Sequence, residues 1–216
     1  MTLRLGLYRK SYHNLPVDPT LPRVFVLDEV ISREFFHYSL HPTLLAEGEA
    51  RSQGGEFLIG REAEYGFRGS LGISLSDAKY RDSDGVWRER VIDIEHAVTA
   101  ELGFRTRNGW TFTSAWRQIG GLRRTPYDAY LSAYYGTAVE HPEYPNYSRL
   151  PTLHWLDIRL ERQFRLGRGD MTLHAGVWNV YDAEEITVIF WSNRFNATVY
   201  DVQFSPVPVF GVIYSF

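Results

Sequence analysis

Pro208-Val209-Phe210-Gly211-Val212-Ile213-Tyr214-Ser215-Phe216 closes the chain, and its reading decides the fold. Side chains alternate across a strand, so Phe210, Val212, Tyr214 and Phe216 share one face, all of it apolar or aromatic. Val209, Gly211, Ile213 and Ser215 share the other. Termini of soluble domains usually fray, and they seldom need a strand that stays aromatic to its last atom. The closing strand of a bacterial outer-membrane barrel does need one. It pairs with the first strand, and a terminal aromatic presents it to the barrel assembly machinery. Gly211, Tyr214 and Phe216 are the expected outer-membrane sorting signal.

The same alternation recurs upstream. Leu3, Leu5 and Leu7 oppose Arg4, Gly6, Tyr8 and Lys10 near 2–12, and Phe57 and Ile59 share a face within 47–61. Phe67, Leu71, Ile73 and Leu75 oppose Arg68, Ser70, Gly72, Ser74 and Ser76 over 65–80. Val98, Ala100, Leu102 and Phe104 oppose Thr99, Glu101, Gly103 and Arg105 within 91–106. Trp110, Phe112 and Trp116 face away from Thr111, Thr113, Ala115 and Arg117 over 109–120. Leu156, Ile158, Leu160 and Phe164 oppose Asp157, Arg159, Glu161 and Gln163 over 154–166. From residue 170, Met171, Leu173, Ala175 and Val177 oppose Thr172, His174, Gly176 and Trp178. With the closing strand, these period-2 runs predict about eight strands.

The connections alternate in length. Residues 61–64, Thr106-Arg107-Asn108-Gly109 and Leu166-Gly167-Arg168-Gly169 are short and polar, and their Asn-Gly and Gly-x-Gly pairs suit tight hairpins. About 13–46, 78–92 and 121–153 are long. Structureless loops of that size are uncommon in compact soluble domains. Short turns on the periplasmic side and long loops outside are the layout of a transmembrane barrel. With the first strand running upward, an eighth strand runs down and puts Phe216 at the periplasmic side.

Composition excludes several classes. No apolar run approaches the roughly 20 residues that a spanning helix needs. Aromatics make up 15% of the chain, which suits girdles at two membrane interfaces. There is no Cys, so disulfides and thiolate metal sites are excluded, and a net charge of -3 with no basic stripe argues against nucleic acid. Met1-Thr2-Leu3-Arg4-Leu5-Gly6-Leu7-Tyr8 alternates like a strand and does not read as the signal peptide an exported precursor carries. The chain is expected to be a piece of a longer protein.

Five strings, in order, resemble one family. They are Leu5-Gly6-Leu7-Tyr8-Arg9-Lys10-Ser11-Tyr12-His13-Asn14-Leu15, Gly48-Glu49-Ala50-Arg51-Ser52-Gln53-Gly54-Gly55-Glu56-Phe57-Leu58, Arg149-Leu150-Pro151-Thr152-Leu153-His154-Trp155-Leu156-Asp157-Ile158-Arg159-Leu160, Leu173-His174-Ala175-Gly176-Val177-Trp178-Asn179-Val180-Tyr181-Asp182, and Pro208 to Phe216. The set resembles the C-terminal strands of TonB-dependent outer-membrane receptors. The resemblance implies a barrel of roughly 22 strands plugged by an N-terminal domain. It implies uptake of iron–siderophores, cobalamin, haem, nickel complexes or glycans, driven through TonB. The whole of 1–216 would then be the C-terminal portion of the barrel, without the plug domain or a TonB box. Its expected partners are outer-membrane lipid, the assembly machinery, the rest of the receptor with its plug, TonB through that plug, and a small-molecule ligand.

No catalytic constellation stands out, so the chain is not expected to be an enzyme, and no cofactor or metal is expected. His37 and His41 lie four apart in a loop, and His96 and His174 fall within strands. The better candidate is the 121–153 loop, with Arg123, Arg124, Tyr127, Tyr130, Tyr134, Tyr135 and His141 as ligand-binding residues. Tyr combines a flat apolar face with a hydroxyl, and Arg clamps anions bidentately. Tyr144 and Tyr147 lie in the same loop, and Phe25, Phe35, Phe36 and Tyr38 form a similar group in the first one. The alternative use of these rings is an interfacial girdle and loop packing. On the inward faces Glu101, Arg105, Arg117, Asp157, Arg159 and Glu161 are expected to pair with one another or with a plug.

Two other folds fit the alternation. A self-contained eight-stranded barrel with a structural or adhesion role requires its first strand to pair with its last. A soluble β-sandwich or lipocalin-like binding module requires its apolar faces to be covered by other protein.

Overall fold

A computed structural model describes residues 1–21, 23, 25–28, 43–141, 143–184, 186–202 and 206–216. Its strands are β1 (Thr2–Val17), β2 (Leu45–Arg61), β3 (Gly66–Arg81), β4 (Trp87–Glu89), β5 (His96–Arg105), β6 (Trp110–Ile119), β7 (Arg123–Arg124), β8 (Ser148–Arg149), β9 (Leu153–Leu166), β10 (Gly169–Trp178), β11 (Ile186–Ser192), β12 (Ala197–Val202) and β13 (Val207–Ser215). One short helix, α1 (Ala129–Tyr135), lies between β7 and β8.

The long strands form one antiparallel meander, β1-β2-β3-β5-β6-β9-β10-β13, with β4 attached to β3. These eight are the runs marked by period-2 alternation. The short connections are hairpins, and Gly109 at φ 87° and Gly167 at φ 62° take the left-handed angles such turns demand.

Register turns eight alternating sequences into two continuous faces. Phe67 opposes Phe104, Phe104 opposes Phe112, Phe112 opposes Leu160, Leu160 opposes Ala175, and Ala175 opposes Phe210. Ile59, Leu71, Ala100, Trp116 and Leu156 make a second apolar row. The reverse face carries Gly60, Ser70, Glu101, Ala115 and Asp157 in one row, and Thr111, Glu161, His174 and Gly211 in another.

The apolar face is uncovered. Leu5 is 75% exposed, Phe67 71%, Leu102 63% and Phe210 76%, so no other described residue buries the belt. A sandwich needs a second sheet there; among the described residues the only other sheets are the two-stranded pairs β11-β12 and β7-β8. Along β3 the outward apolar positions run from Phe67 to Leu75. At about 3.3 Å per residue that run is roughly 26 Å long, or about 20 Å across a bilayer at a tilt near 40°, close to the ~25 Å band of transmembrane barrels.

The sheet is open. Among the described residues β1 pairs with β2 alone and β13 with β10 alone, at opposite edges. The pairing of first with last strand that a small closed barrel requires is not formed.

Four features went unread in the sequence: β4, the β7-β8 pair, α1 and the β11-β12 hairpin within 179–206. Asp128 starts α1 by accepting the Leu131 amide at 2.9 Å, and Gly136 ends it at φ 64°. Because the sheet has no apolar core, the buried cluster sits at its long-loop end. There Phe25, Ala50 and Tyr80 pack with Leu15, and Phe25 stacks on Tyr80 with ring centres 4.8 Å apart.

Candidate functional site

The long-loop end is tied together by buried charge. Asp28, 4% exposed, accepts both Nε (3.0 Å) and Nη2 (2.5 Å) of Arg90 and the Val91 amide (3.0 Å). Asp93, 3% exposed, accepts Nε of Arg123 at 3.1 Å and Nη2 of Arg149 at 2.7 Å through one oxygen, and the Ala78 amide through the other. Arg149 also donates to the carbonyls of Asp93 and Gly121. A charge this well enclosed is stable only with such partners, so Asp28 and Asp93 hold the loops onto the strands.

Around that frame lie further buried and paired groups. The Tyr80 hydroxyl, fully buried, donates to the Arg23 carbonyl. Burial pushes the Asp82 carboxyl above its usual value. In the β3-β4 turn the Arg88 guanidinium hydrogen-bonds Asp84 and holds its carboxyl below the usual range. Glu89 holds the Lys79 ammonium at 2.9 Å.

The expected ligand residues divide in two. Arg123 is committed to Asp93. Arg124 stacks over Tyr127 at 4.5 Å, and the Tyr127 hydroxyl donates to the Ile189 carbonyl. His141 packs on Tyr144, whose ring neighbours Tyr147. These are the packing uses of the loop. Tyr130, Tyr134 and Tyr135 differ: they are 77%, 73% and 64% exposed, on a helix whose one buried residue is Ser132. The Tyr134 and Tyr135 rings meet edge-on at 5.0 Å. Asn193, in the β11-β12 turn, donates to the Gly136 carbonyl and fixes the end of this helix.

A groove of about 330 Å³ in the long-loop region is lined in part by Trp87, Glu89, Arg123, Tyr144 and Tyr147, and not by the three exposed helix tyrosines. Trp87 and Glu89 were not foreseen as site residues; a lone Trp between charges in a loop was the available signal. Phe35, Phe36, His37, Tyr38 and His41 lie outside the described residues.

Asp77, Glu89 and Asp93 bring carboxylate oxygens within 4.8 Å of one another. The donor set does not suit a metal, because Lys79 and two arginines already neutralise it. Lys79 reaches Asp77 at 3.6 Å and Glu89 at 2.9 Å, while Arg123 and Arg149 hold Asp93.

On the inward face five of the six expected charges pair with one another, while Arg105 donates to Gln163 at 3.1 Å. Arg117 contacts Asp157 at 2.8 Å and Glu101 at 4.0 Å, and Arg159 pairs with Glu161. Asp157 also accepts the Asn179 amide at 3.0 Å. Asn179 bonds Ala183 through both ends of its side-chain amide. The Asn179-Val180-Tyr181-Asp182 box is therefore a turn that ends β10. His174 lies flat against Gly211: a Cβ on that glycine would stand 2.2 Å from the ring. Gly211 has a packing role independent of any sorting signal.

The fold and the loop assembly define a β-barrel-like sheet fragment bearing an aromatic, charged cap. Among solved structures it resembles the crystal structure of the ferric-catecholate import receptor Fiu from E. coli K12, in its closed form. The TM-score is 0.58 at 13% identity, over 99% of this chain and 25% of that one. The likeness is one of fold, and the chain spans about a quarter of the receptor's length. No family model and no curated protein matches the sequence. No helix among the described residues is long and apolar enough to cross a membrane, which leaves crossing by strands open.

Proposed function

We propose that this chain is the C-terminal part of the barrel of a TonB-dependent outer-membrane receptor. The receptor imports a siderophore, metal complex or glycan, and the chain is not an enzyme. The single observation carrying this reading is the uncovered apolar belt on an open meander whose two edges await further strands. Unpaired backbone groups in lipid cost several kcal/mol each, so the sheet needs neighbours to close it. The ordered sequence strings and the fold shared with a ferric-catecholate import receptor point the same way. In this reading the short turns face the periplasm and the long loops face outside. Tyr130, Tyr134 and Tyr135 are the first surface that an incoming ligand meets.

The test uses the full-length protein in a Gram-negative host lacking other receptors for the ligand. Uptake of a ferric-catecholate complex is followed with and without TonB. The expected result is TonB-dependent accumulation that falls about tenfold or more when the three tyrosines become alanine, roughly 1.4 kcal/mol of binding. If no siderophore, metal complex or glycan enters in a TonB-dependent way, the reading is wrong.

A further inference from the structure

We propose that Arg9 and Arg51, with Trp87, form an outward-facing site for the phosphate of a phosphorylated lipid in the outer leaflet. The proposal rests on the barrel reading above. It starts from a row-by-row change of chemistry on one face. Leu7, Gly55 and Leu75 form the last apolar row across β1, β2 and β3. Arg9, Gln53 and Asp77 form the next, and Ser11, Arg51, Lys79 and Glu89 the one beyond. Successive outward rows are about 6.7 Å apart along the strands. A bilayer's polar layer adds roughly 5–8 Å on each side of its hydrocarbon. At a tilt near 40° successive rows rise about 5 Å along the bilayer normal, so Arg9's row stands within that layer and Arg51's, about 10 Å up, just past its outer edge, within reach of a long side chain. Both rows continue the outward face of Leu3, Leu5 and Leu7.

Most charges there are already matched. Lys79 reaches Glu89 at 2.9 Å, Arg81 reaches Glu49 at 2.6 Å, and Gln53 donates to Asp77 at 3.3 Å. Arg9 and Arg51 have no carboxylate partner among the described residues, and Arg51 Nε is shielded from solvent with no acceptor. The Arg51 guanidinium stacks on Trp87, 4.6 Å from its ring centre. Stacking occupies the flat face of the fork and leaves its terminal Nη donors for an anion, the geometry that suits phosphate. Arg9 opposes Gln53 and Arg51 opposes Ser11. The two are diagonal neighbours about 7–8 Å apart at the backbone, within reach of one phosphate from both sides. Trp87, one row beyond Arg51, holds the Arg51 guanidinium in place by this stacking.

The test takes the full-length protein, extracted in mild detergent, and measures lipid binding by native mass spectrometry. The probes are bisphosphorylated lipid A, its dephosphorylated form and phosphatidylglycerol. Wild type should retain bisphosphorylated lipid A, and Arg9→Gln/Arg51→Gln should weaken that binding about tenfold or more. Lys10→Gln, on the inward face of the same strand, should leave it unchanged. Equal retention of the dephosphorylated lipid, preference for phosphatidylglycerol, undiminished binding by the double variant, or an equal loss with Lys10→Gln would each overturn the site. Failure of the barrel reading is seen separately, as a protein absent from the outer-membrane fraction.

Discussion

Replacing Gly211 by alanine tests the register and the closing strand together. The backbone at Gly211 is ordinary strand, so the substitution meets no conformational penalty of its own. What it meets is His174, directly opposite on β10. The added Cβ would lie 2.2 Å from Cε1 and 2.3 Å from Nε2 of that ring, far inside van der Waals contact. The ring must swing out or the strands must part. An off-rotamer side chain costs about 0.5–1.5 kcal/mol, and overpacking as a whole about 1–3 kcal/mol. Gly211→Ala should therefore destabilise the full-length protein by about 1–3 kcal/mol in urea-dependent folding into lipid vesicles. His174→Ala removes the obstacle, so the double variant should recover most of that loss through a coupling between the two sites. If Gly211→Ala is neutral, or the double variant is no better than the sum of the singles, then His174 does not lie over Gly211 and the β10-β13 register is wrong.

Two further outcomes follow from the same geometry. Leu71→Arg, in the middle of the outward belt, should cost about 2–4 kcal/mol of vesicle folding, whereas Ser70→Arg, one residue away on the inward face, should cost far less; equal costs would dissolve the two-faced sheet. Asp84 is held below its ordinary 3.8 by Arg88, so the stability it lends the β3-β4 turn is present above that value and is lost as pH falls through the depressed one. A carboxyl-carbon NMR titration should place its midpoint below 3.8, and Arg88→Gln should move it back up; an unmoved midpoint would refute the pairing.

Much of the fold was legible because a strand offers a single degree of freedom to its side chains. Residues i and i+2 must share a face, so Leu3-Leu5-Leu7 and Phe210-Val212-Tyr214-Phe216 announced themselves. The Asn108-Gly109 and Gly167-Arg168-Gly169 turns announced which neighbours they join. The small elements were harder. Ile186–Ser192 and Ala197–Val202 carry strand-forming residues, yet they lie between the last two long strands, where no element is assigned from the sequence. Residues 129–135 form a helix because Asp128 caps it and Gly136 stops it, a signal present in the sequence but masked by four surrounding tyrosines.

The candidate site divides along the same line. Sequence alone determined that tyrosines and arginines crowd 121–153, that Arg117, Asp157 and Glu161 face inward, and that the chain ends in an aromatic strand. These follow from local periodicity and composition. Only the tertiary structure decided which of those groups are spent. Arg123 belongs to Asp93, Arg149 ties residues 93 and 121 to its own strand, and Arg90 belongs to Asp28, across 62 positions of chain. Charge pairing depends on distance in space, and a buried carboxylate takes whatever cation the fold brings within about 3–4 Å. The same holds for the edges of β1 and β13 and the guanidiniums of Arg9 and Arg51, open and unmatched among the described residues. Both are defined by what stands beside them in space, which alternation along the chain does not encode.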